Sequence, residues 1–599
     1  MLKECLEAFE YLRSTDKENN IVIDNYVLDE GLYLLIDKDF NVKKSYEVEK
    51  PKSKSKSDEK EEIIRTKDYY MFSSLDYNSI LISMNKPIDK KKQIHSNNYF
   101  TFFVKKDVIR DKKLTPEIIK GYYDVLLNPE LKYKSDKKSL KLYKDYEETA
   151  GKVDKSAIEI YKNYILENIF KNEDWVKGKG YLKIFFDASI SDYERESKRY
   201  IIPNIFNSNF FNEEINGESV GLHGNNMGMN DKKPFLRHMN RKNIAPELIS
   251  IENALKYKDL FQYLYGLASS GIKDVYISER NIKLENKKDE DFTGIYLRIN
   301  KGTELEILYC DKIIKYRNKI ESFDIENILK IDYEKYKDKY KDLSLLDKMV
   351  GSLSDIERLI DTFFFNKYLR LNYFTEASDI KLNDDKIRQM LITYRMFFFR
   401  WFKLGYTEDV LEKFKSISIY LLKDTLINDS YLKACAQFNI IFSIINYLER
   451  KEENMADIRT QLYKNLSRKV NSSESELEII ENDKEYYFAL GQIVNYLNSI
   501  NKSKNKDNLF LKQVLESNTN ERTKEIITRM IKKYAYSKNI NRKRFRNLGS
   551  MVMGYIIDTE EKDDFMIILG YLNNNVIYEK KDDKSEIDED DDEGVEENE

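Results

Sequence analysis

The arrangement of hydrophobic and polar residues changes near residue 345. Before that position, short apolar runs typical of strands alternate with stretches that have helical spacing. Beyond it, apolar residues recur at helical spacing to about residue 577, and no proline follows Pro246 to break the helices. The pattern predicts an α+β protein, in which a mixed α/β N-terminal half precedes an all-helical C-terminal half that ends in a helical bundle.

The predicted strands of the first half are rich in β-branched and aromatic residues. They are YNSILISM (77–84), NYFTFFV (98–104), GYLKIFF (180–186) and DVYIS (274–278), followed by a predicted hairpin of FTGIYLRI (292–299) and TELEILYC (303–310). Among them, SAIEIYKNYILENIF (156–170) has helical spacing, whereas 51–62 has no apolar periodicity and predicts a solvated insertion.

In the second half, Ser352 and Asp355 form a Ser-x-x-Asp capping pattern at the start of a helix. Long helices are predicted around 385–403, 408–424 and 430–449, and a polar break at 450–457 precedes the last helical block. These features divide the chain into four predicted parts. They are a mixed α/β domain (1–344), a helical domain (345–454), a C-terminal helical bundle (455–580) and a disordered acidic tail (581–599).

The composition is typical of a folded cytoplasmic protein, since hydrophobic residues make up 41% and charged residues 34% of the 599. The chain starts with acidic residues where a signal peptide has an apolar run, and no stretch approaches the ~20 apolar residues that span a bilayer. Cys5, Cys310 and Cys435 are isolated, so neither a disulfide framework nor a cysteine metal site is indicated.

The formal net charge of −4 conceals a basic body. Residues 581–599 contain twelve acidic and two basic residues, and without them the chain has 99 basic and 93 acidic residues. A run of like charge such as 588–593 usually stays solvated, which makes a solubilising tail the simpler interpretation. The alternative is a nucleic-acid mimic that competes for a basic groove.

The sequence offers no recognisable catalytic centre. It has no G-x-x-x-x-G-K-[ST] phosphate loop and no G-x-S-x-G elbow, and its three histidines form no metal-binding pattern. Asp187, Asp192 and Glu194 follow the strand GYLKIFF and are the best candidates for a two-metal nuclease site. Carboxylates at a strand end are more often turn and capping residues, so we expect no enzyme, metal or cofactor.

The segment 216–242 is unusual because four of the chain's twenty glycines fall within twelve residues, at Gly217, Gly221, Gly224 and Gly228. Glycine lets the backbone approach a ligand closely. The segment also carries amide side chains that donate and accept hydrogen bonds, at Asn225, Asn226 and Asn230, and cations that can neutralise phosphates, at Lys232, Lys233, Arg237, Arg241 and Lys242. Such a loop fits a groove of duplex DNA, but an ordinary surface loop explains the composition equally well.

The last helical block has a second basic segment. On the helical wheel of 520–536, one arc is apolar, at Ile526, Ile527, Met530, Ile531 and Tyr534. The opposite arc and the adjoining NRKRFRN (541–547) are basic, at Arg522, Lys524, Arg529, Lys532, Lys533, Arg542, Lys543, Arg544 and Arg546. A solvated helix face usually mixes signs, so this one predicts a surface that tracks a nucleic-acid backbone.

These two segments carry a family resemblance. GLHGNNMGMNDKKPFL (221–236) resembles the glycine-asparagine loop of the large subunit of type I-B CRISPR Cascade complexes. KEYYFALGQIVNYL (484–497) and KRFRNLGSMVMGYII (543–557) resemble the helical C-terminal region of that family, which is similar to the Cascade small subunit. No comparable resemblance covers residues 1–150.

The resemblance implies a non-catalytic subunit that works in antiviral defence. Its partners would be CRISPR RNA, target DNA and the backbone, handle-binding, RNA-processing and small subunits of Cascade. The loop would recognise the protospacer-adjacent motif, while guide pairing reads the target. The basic helical block would hold displaced strand or guide RNA, and a separate helicase-nuclease would be recruited to cut.

Two other classes remain open from the residues alone. One is a stand-alone DNA-binding replication factor of a plasmid or phage, which would bind duplex DNA without a guide. The other is a helical protein–protein scaffold, which would show no salt-dependent binding of nucleic acid.

The resemblance also implies that Met455 starts a second, shorter protein, because type I-B loci often make their small subunit by internal initiation. Lys451, Glu452 and Glu453 can be encoded AAG-GAG-GAA, which contains the ribosome-binding sequence AGGAGG. The product 455–599 would begin in the polar break, where we expect the least apolar surface to be exposed. Against this, Lys-Glu-Glu is common in so charged a sequence.

Overall fold

A computed structural model describes residues 2–15, 20–49, 65–222, 248–279, 281–284, 291–302, 304–331, 341–428, 430–450, 455–472, 478–500, 509–535, 537–557 and 562–579. Contacts divide the chain into two compact units. Unit 1 comprises Met1–Lys287 and Phe292–Ile314, and unit 2 comprises Lys288–Asp291 and Lys315–Glu599. A mixed α/β first half and a helical second half are confirmed.

The elements of unit 1 are helices and strands interspersed along the chain. Its helices are α1 (Leu2–Thr15), α2 (Ile21–Asp24), α3 (Lys67–Tyr77), α4 (Lys106–Arg110), α5 (Pro116–Leu127), α6 (Glu130–Tyr133), α7 (Lys137–Ala150), α8 (Lys155–Asn168), α9 (Ile190–Asn204) and α10 (Ile251–Ser269). Its strands are β1 (Gly31–Ile36), β2 (Val42–Val48), β3 (Thr101–Lys105), β4 (Tyr181–Phe186), β5 (Glu213–Ile215), β6 (Glu218–Leu222), β7 (Leu248–Ser250), β8 (Asp274–Ser278), β9 (Asn281–Leu284), β10 (Phe292–Lys301) and β11 (Leu305–Tyr316).

The first sheet has the strand order β2-β1-β4-β3, with β1 parallel to β4 and the outer pairs antiparallel. Its central strands β1 and β4 are buried along most of their length, which explains their nearly continuous apolar sequences. The chain enters β4 through Gly180, which has a φ of +84° and whose Cβ would lie 2.0 Å from the Glu30 carbonyl oxygen. Only glycine fits this approach.

The predicted strand at 77–84 is wrong. Tyr77 ends α3, and within 78–84 Ile80 forms an isolated bridge with Ser96. Side chains bond this backbone in place of a neighbouring strand, since Asn97 Nδ2 donates to the Ile80 carbonyl (2.8 Å) and Asn98 Nδ2 to the Asn78 carbonyl (3.0 Å).

The second large sheet has the order β11-β10-β8-β9 and confirms the predicted hairpin, since β10 and β11 are neighbours. Helices α1 and α10 cover it, and residues from both elements, such as Phe9 and Leu264, form one hydrophobic core with Val275 and Leu297 of the sheet. A separate small sheet, β5-β6-β7, lies next to the segment 223–247 in sequence.

Unit 2 begins with the strands β12 (Lys319–Phe323) and β13 (Val350–Ser352), which pair antiparallel. Its helices are α11 (Leu353–Phe363), α12 (Asp385–Leu404), α13 (Val410–Ile427), α14 (Tyr431–Glu449), α15 (Met455–Val470), α16 (Asp483–Ser499), α17 (Leu509–Glu516), α18 (Asn520–Lys533), α19 (Lys543–Gly554) and α20 (Asp564–Leu572). The predicted cap at Ser352 is confirmed, because its Oγ accepts from the Asp355 N–H (3.1 Å) and donates to the Asp355 carboxylate (2.7 Å).

The division between the units differs from the predicted boundary at residue 344. Residues 315–331 pack with the helices, since Phe323 stacks on Tyr447 with 4.8 Å between ring centroids. The Glu326 N–H also donates to Ser443 Oγ (2.9 Å). Contacts of this kind join positions more than a hundred residues apart, so local sequence does not reveal them.

The last helices of unit 2 pack closely. Helices α16 and α20 approach backbone to backbone, because a Cβ on Gly491 would lie 2.1 Å from the Ile567 carbonyl oxygen and one on Gly570 would lie 2.1 Å from that of Phe488. The predicted domains 345–454 and 455–580 are also in contact, because Phe565 of α20 stacks on Phe438 of α14 at 4.1 Å.

Candidate nucleic-acid interface

The strands β6 and β7 form a stem for the segment 223–247. They pair antiparallel, with Val220 opposite Ser250 and Leu222 opposite Leu248. The two ends of the segment are therefore adjacent, and its predicted motif-reading residues lie outside the part of the chain that the structure describes. These residues are Gly224, Asn225, Asn226, Gly228, Asn230, Lys232, Lys233 and Arg237.

Two glycines of the predicted loop have structural roles in the stem. Asn216 and Gly217 both have positive φ (53° and 81°) and join β5 to β6, as in a type I′ hairpin turn. A Cβ on Gly221 would lie 2.5 Å from the Phe206 ring and 2.5 Å from Asn212 Oδ1. The glycine cluster at 216–228 is thus partly explained by a turn and by close packing, and not only by approach to a ligand.

The stem is attached to unit 1 on both sides. The Asn207 N–H donates to the Leu222 carbonyl at the end of β6 (3.2 Å). On the other side, Ser250 ends β7 and caps α10, since its Oγ accepts from the Asn253 N–H (3.2 Å). Hydrogen bonds on both strands therefore join the stem to neighbouring residues of unit 1.

The basic segment 522–546 lies on two neighbouring helices of unit 2. Helices α18 and α19 run antiparallel, because Lys524 Nζ donates to the Tyr555 carbonyl (2.5 Å) and Thr528 Oγ1 lies 3.9 Å from Met553 Sδ. The apolar arc of α18 faces the interior, where Ile526, Ile527 and Met530 are buried. The opposite side of α18 therefore faces solvent, together with the start of α19.

Five cations on these helices are exposed, and we call them the basic face. They are Arg529, Lys532, Lys533, Arg542 and Lys543. Among the residues that the structure describes, none of the five pairs with a carboxylate, although Lys533 lies 5.2 Å from the ring centroid of Phe510. Lysine and arginine side chains in this state can bind phosphate without first breaking an ion pair.

The other four of the nine predicted cations have partners within the fold. Lys524 bonds to the Tyr555 carbonyl, and burial lowers its pKa. Arg544 Nε donates to Asn471 Oδ1 (2.7 Å), and its Nη1 donates to the carbonyls of Ile577 (3.3 Å) and Glu579 (2.5 Å). Arg522 forms an exposed ion pair with Glu525 (2.7 Å). Arg546 is exposed and also has an interaction within the fold.

An open cleft lies beside the basic face. The end of α17 contributes Gln513 and Glu516 to it, and α18 contributes Arg522, Ile526 and Arg529. Arg529 therefore belongs both to the basic face and to the wall of a concave surface, where one side chain can reach a bound strand from the side.

Two of the three carboxylates considered for a nuclease site have partners elsewhere in the fold. Asp187 forms an ion pair with Lys43 (2.7 Å). Asp192 belongs to the cap of α9, where its N–H donates to Ser189 Oγ (3.2 Å) and the Ser189 hydroxyl donates to its carboxylate (2.6 Å). Glu194 is exposed. No group of three or more histidine, cysteine or acidic residues is placed to hold a metal ion within the described ranges.

Sequence reasoning missed two buried ion pairs. Lys183 Nζ lies 2.8 Å from the Asp76 carboxylate in unit 1, and Lys469 Nζ lies 2.8 Å from that of Glu485 in unit 2. Burial opposes the charge of Lys183, but the Asp76 carboxylate outweighs it and holds the pKa of Lys183 well above its usual value. The available signal was a lysine inside the apolar run YLKIFF. Both ion pairs lie in the protein interior, and we assign them a structural role.

Met455, the predicted internal start, is only 4% exposed. The helices that follow it also contact those that precede it, since Lys423 pairs with Asp564 and the Tyr431 hydroxyl donates to the Leu572 carbonyl. A product that starts at this position would therefore lose contacts that the full chain makes. The start itself stays a prediction.

No protein-family model, curated protein or solved structure matches this chain. Within the described residues, no helix is both long and apolar enough to cross a membrane.

Proposed function

We propose that this protein is the non-catalytic large subunit of a CRISPR RNA-guided Cascade complex, which acts in the cytoplasm in antiviral defence. The resemblance of 221–236, 484–497 and 543–557 to that family suggests the assignment. The structural observation that supports it most is the basic face, whose five cations on two consecutive helices are exposed and have no acidic partners among the described residues.

The geometry of the basic face suits a nucleic-acid backbone. Its cations lie at the end of α18 and the start of α19, and the buried apolar arc behind them holds α18 in place. Phosphate binding to such cations releases counterions from the nucleic acid, so affinity depends strongly on salt and little on base sequence. In a Cascade complex this surface would hold displaced strand or guide RNA.

The stem formed by β6 and β7 would have a different role from the basic face. It pairs Leu222 with Leu248, which adjoin the two ends of 223–247. We assign motif recognition to the asparagines and lysines of that segment. They would recognise the protospacer-adjacent motif and help to open the target, while guide pairing reads the remaining sequence. A separate helicase-nuclease, recruited afterwards, would cut the DNA.

The experiment that tests this function is binding of target DNA with and without a guide. The chain is purified alone and with its neighbouring CRISPR-associated gene products and CRISPR RNA, and each sample is titrated with matched duplexes that carry or lack the motif. Motif-dependent duplex binding only in the guide-loaded complex is the expected result. Specific duplex binding by the chain alone favours the replication factor, and no salt-dependent binding in either sample favours the scaffold.

A further inference from the structure

The acidic segment of the chain begins next to the basic face. Glu579 is the last described residue before it, and the Ser467 hydroxyl donates to the Glu579 carboxylate. Arg544 Nη1 donates to the Glu579 carbonyl (2.5 Å), and Arg544 follows Arg542 and Lys543 of the basic face directly in sequence. Glu579, the anchor of residues 580–599, therefore bonds to the side chain that follows two exposed cations in sequence.

Charge and length are both suited to an intramolecular contact. Residues 581–599 carry twelve acidic and two basic side chains, against the five cations of the basic face. An extended chain spans about 3.3 Å per residue, so 580–599 can reach about 66 Å from its anchor. Helix α18 has 14 residues and is only about 21 Å long. Every cation of the basic face lies within reach.

We propose that residues 581–599 bind the basic face in cis when nucleic acid is absent and are displaced when nucleic acid binds. The inference rests on the proposed role of this face as a nucleic-acid surface and adds its regulation. The occupant is a segment of the same chain, so its tether keeps it at a high effective concentration near the basic face. Attraction between opposite charges is sufficient for the contact. The carboxylates replace phosphates, so only ligands with a dense row of phosphates compete well.

The contact is electrostatic and lies on the surface, so it weakens as salt screens the charges. It also sets a threshold for binding, because a short or weakly charged ligand cannot displace twelve tethered carboxylates. A nucleic-acid strand that guide pairing already holds in place can displace these carboxylates. The segment thus favours nucleic acid that is already engaged by the complex over free RNA and DNA.

Zero-length carbodiimide cross-linking of the full chain without nucleic acid tests the contact directly. We expect cross-links from the acidic residues of 581–599 to Lys532, Lys533 or Lys543, and their loss in high salt or when an oligonucleotide is added. The exposed Lys413, on another helix of unit 2, serves as the bystander. Cross-links to Lys413 that are as frequent as those to the basic face, or none to the face, would overturn the proposal.

Binding of a fluorescent 20-nucleotide oligothymidine gives the second measurement. Replacing the acids at 588–593 by their amides should lower the Kd at least fivefold near 100 mM salt, with a smaller effect at higher salt. The control changes net charge equally by replacing six exposed acids of unit 1, Glu7, Asp107, Asp111, Glu173, Asp174 and Glu252, by their amides. An equal gain in both variants would show a net-charge effect and reject docking.

A third variant separates this inference from the proposed function. If Arg529→Gln, Lys532→Gln and Lys533→Gln together leave oligothymidine binding unchanged, the basic face is not the nucleic-acid surface, and the proposed function of the face fails. Cross-linking still decides whether the acidic segment docks there. If the triple variant weakens binding and also abolishes the gain from changing 588–593, both proposals are supported.

Discussion

Leu222 and Leu248 lie opposite each other in an antiparallel ladder, so the two ends of the intervening segment are adjacent. Backbone hydrogen bonds of the stem and the packing of Gly221 against Phe206 hold this ladder to the fold. Substitutions within 223–247 and substitutions in the stem can therefore be compared for their effects on binding and on stability.

We predict that Asn226→Ala or Asn230→Ala weakens binding of the guide-loaded complex to motif-bearing duplex by about 1–3 kcal/mol, the usual value of a good base contact. The thermal midpoint of the chain should not change. A titration with duplexes that carry or lack the motif measures the effect, and the motif-lacking duplex should bind both proteins equally. Wild-type affinity for the motif-bearing duplex in both variants would exclude a role of these amides in reading bases.

Gly221→Val is the matched change in the stem. Its side chain has no space beside the Phe206 ring and Asn212 Oδ1, so it should lower the thermal midpoint as well as motif binding. Loss of binding without loss of stability in this variant would mean that Gly221 contacts DNA and is not only a packing residue.

For the basic face, we predict that Arg529→Gln, Lys532→Gln and Lys533→Gln together flatten the salt dependence of binding, by about one unit of slope for each lost phosphate contact. These side chains are exposed, so the free energy of unfolding should change by less than about 0.5 kcal/mol per residue. Measurement of Kd at several salt concentrations provides the slope. An unchanged slope would mean that the basic face does not bind phosphates and contributes only to solubility.

Arg542 and Arg544 look alike in sequence but should behave differently. Arg542→Gln is expected to flatten the salt dependence of nucleic-acid binding, but less than the triple variant does. Arg544→Gln removes hydrogen bonds to Asn471, Ile577 and Glu579, so it should lower the free energy of unfolding by about 1–3 kcal/mol. Urea denaturation of the two variants compares them.

The local pattern of apolar and polar residues predicted much of the fold. It did not predict which of the basic residues are exposed and which have partners within the fold. DVYIS and the cap at Ser352 follow from residues a few positions apart, and both are present in the structure. Lys524 and Arg544 were indistinguishable from their exposed neighbours, because their partners lie 31 and 35 residues away at Tyr555 and Glu579. Such partners depend on helix packing, which periodicity does not encode.

Two partly buried lysines of unit 1 predict a pH dependence of stability. Burial and the charge of Lys132 lower the pKa of Lys86 to about 8, and burial and the charge of Lys90 lower the pKa of Lys132 to about 8. The unfolded chain then binds more protons than the folded chain between about pH 8 and the usual value of 10.5, so stability rises with pH in that window.

The measurement compares wild type with Lys86→Met in urea at about pH 7 and about pH 9.5. Wild type should gain about 1–2 kcal/mol relative to the variant over this range, because the variant lacks the titrating group. Lys91→Met, at an exposed position nearby, is the control and should retain the wild-type slope. Equal slopes in all three proteins would show that Lys86 titrates normally.

The last prediction is that Met455 starts a shorter protein from the same gene. If the codons of Lys451, Glu452 and Glu453 supply AGGAGG, two nucleotides of the Glu453 codon and the Asn454 codon separate it from the Met455 codon. Recoding Lys451 and Glu452 silently to AAA-GAA should then reduce a product that begins at Met455 or Ala456, as measured by mass spectrometry of the purified complex. The same recoding at Lys484 and Glu485 is the control and should have no effect.

The structure also indicates how the shorter product, 455–599, should associate after it is made. Phe565 of the product stacks on Phe438 in the full chain, and Phe438 is absent from 455–599. The product therefore exposes an apolar surface on α20, and it should associate with the complex or with itself instead of remaining a free monomer. Met455→Leu separates the two proteins, because it removes the start codon while a volume-conserving change in the core costs the full chain less than about 1.5 kcal/mol. A short product that persists in both the recoded gene and Met455→Leu would exclude this start.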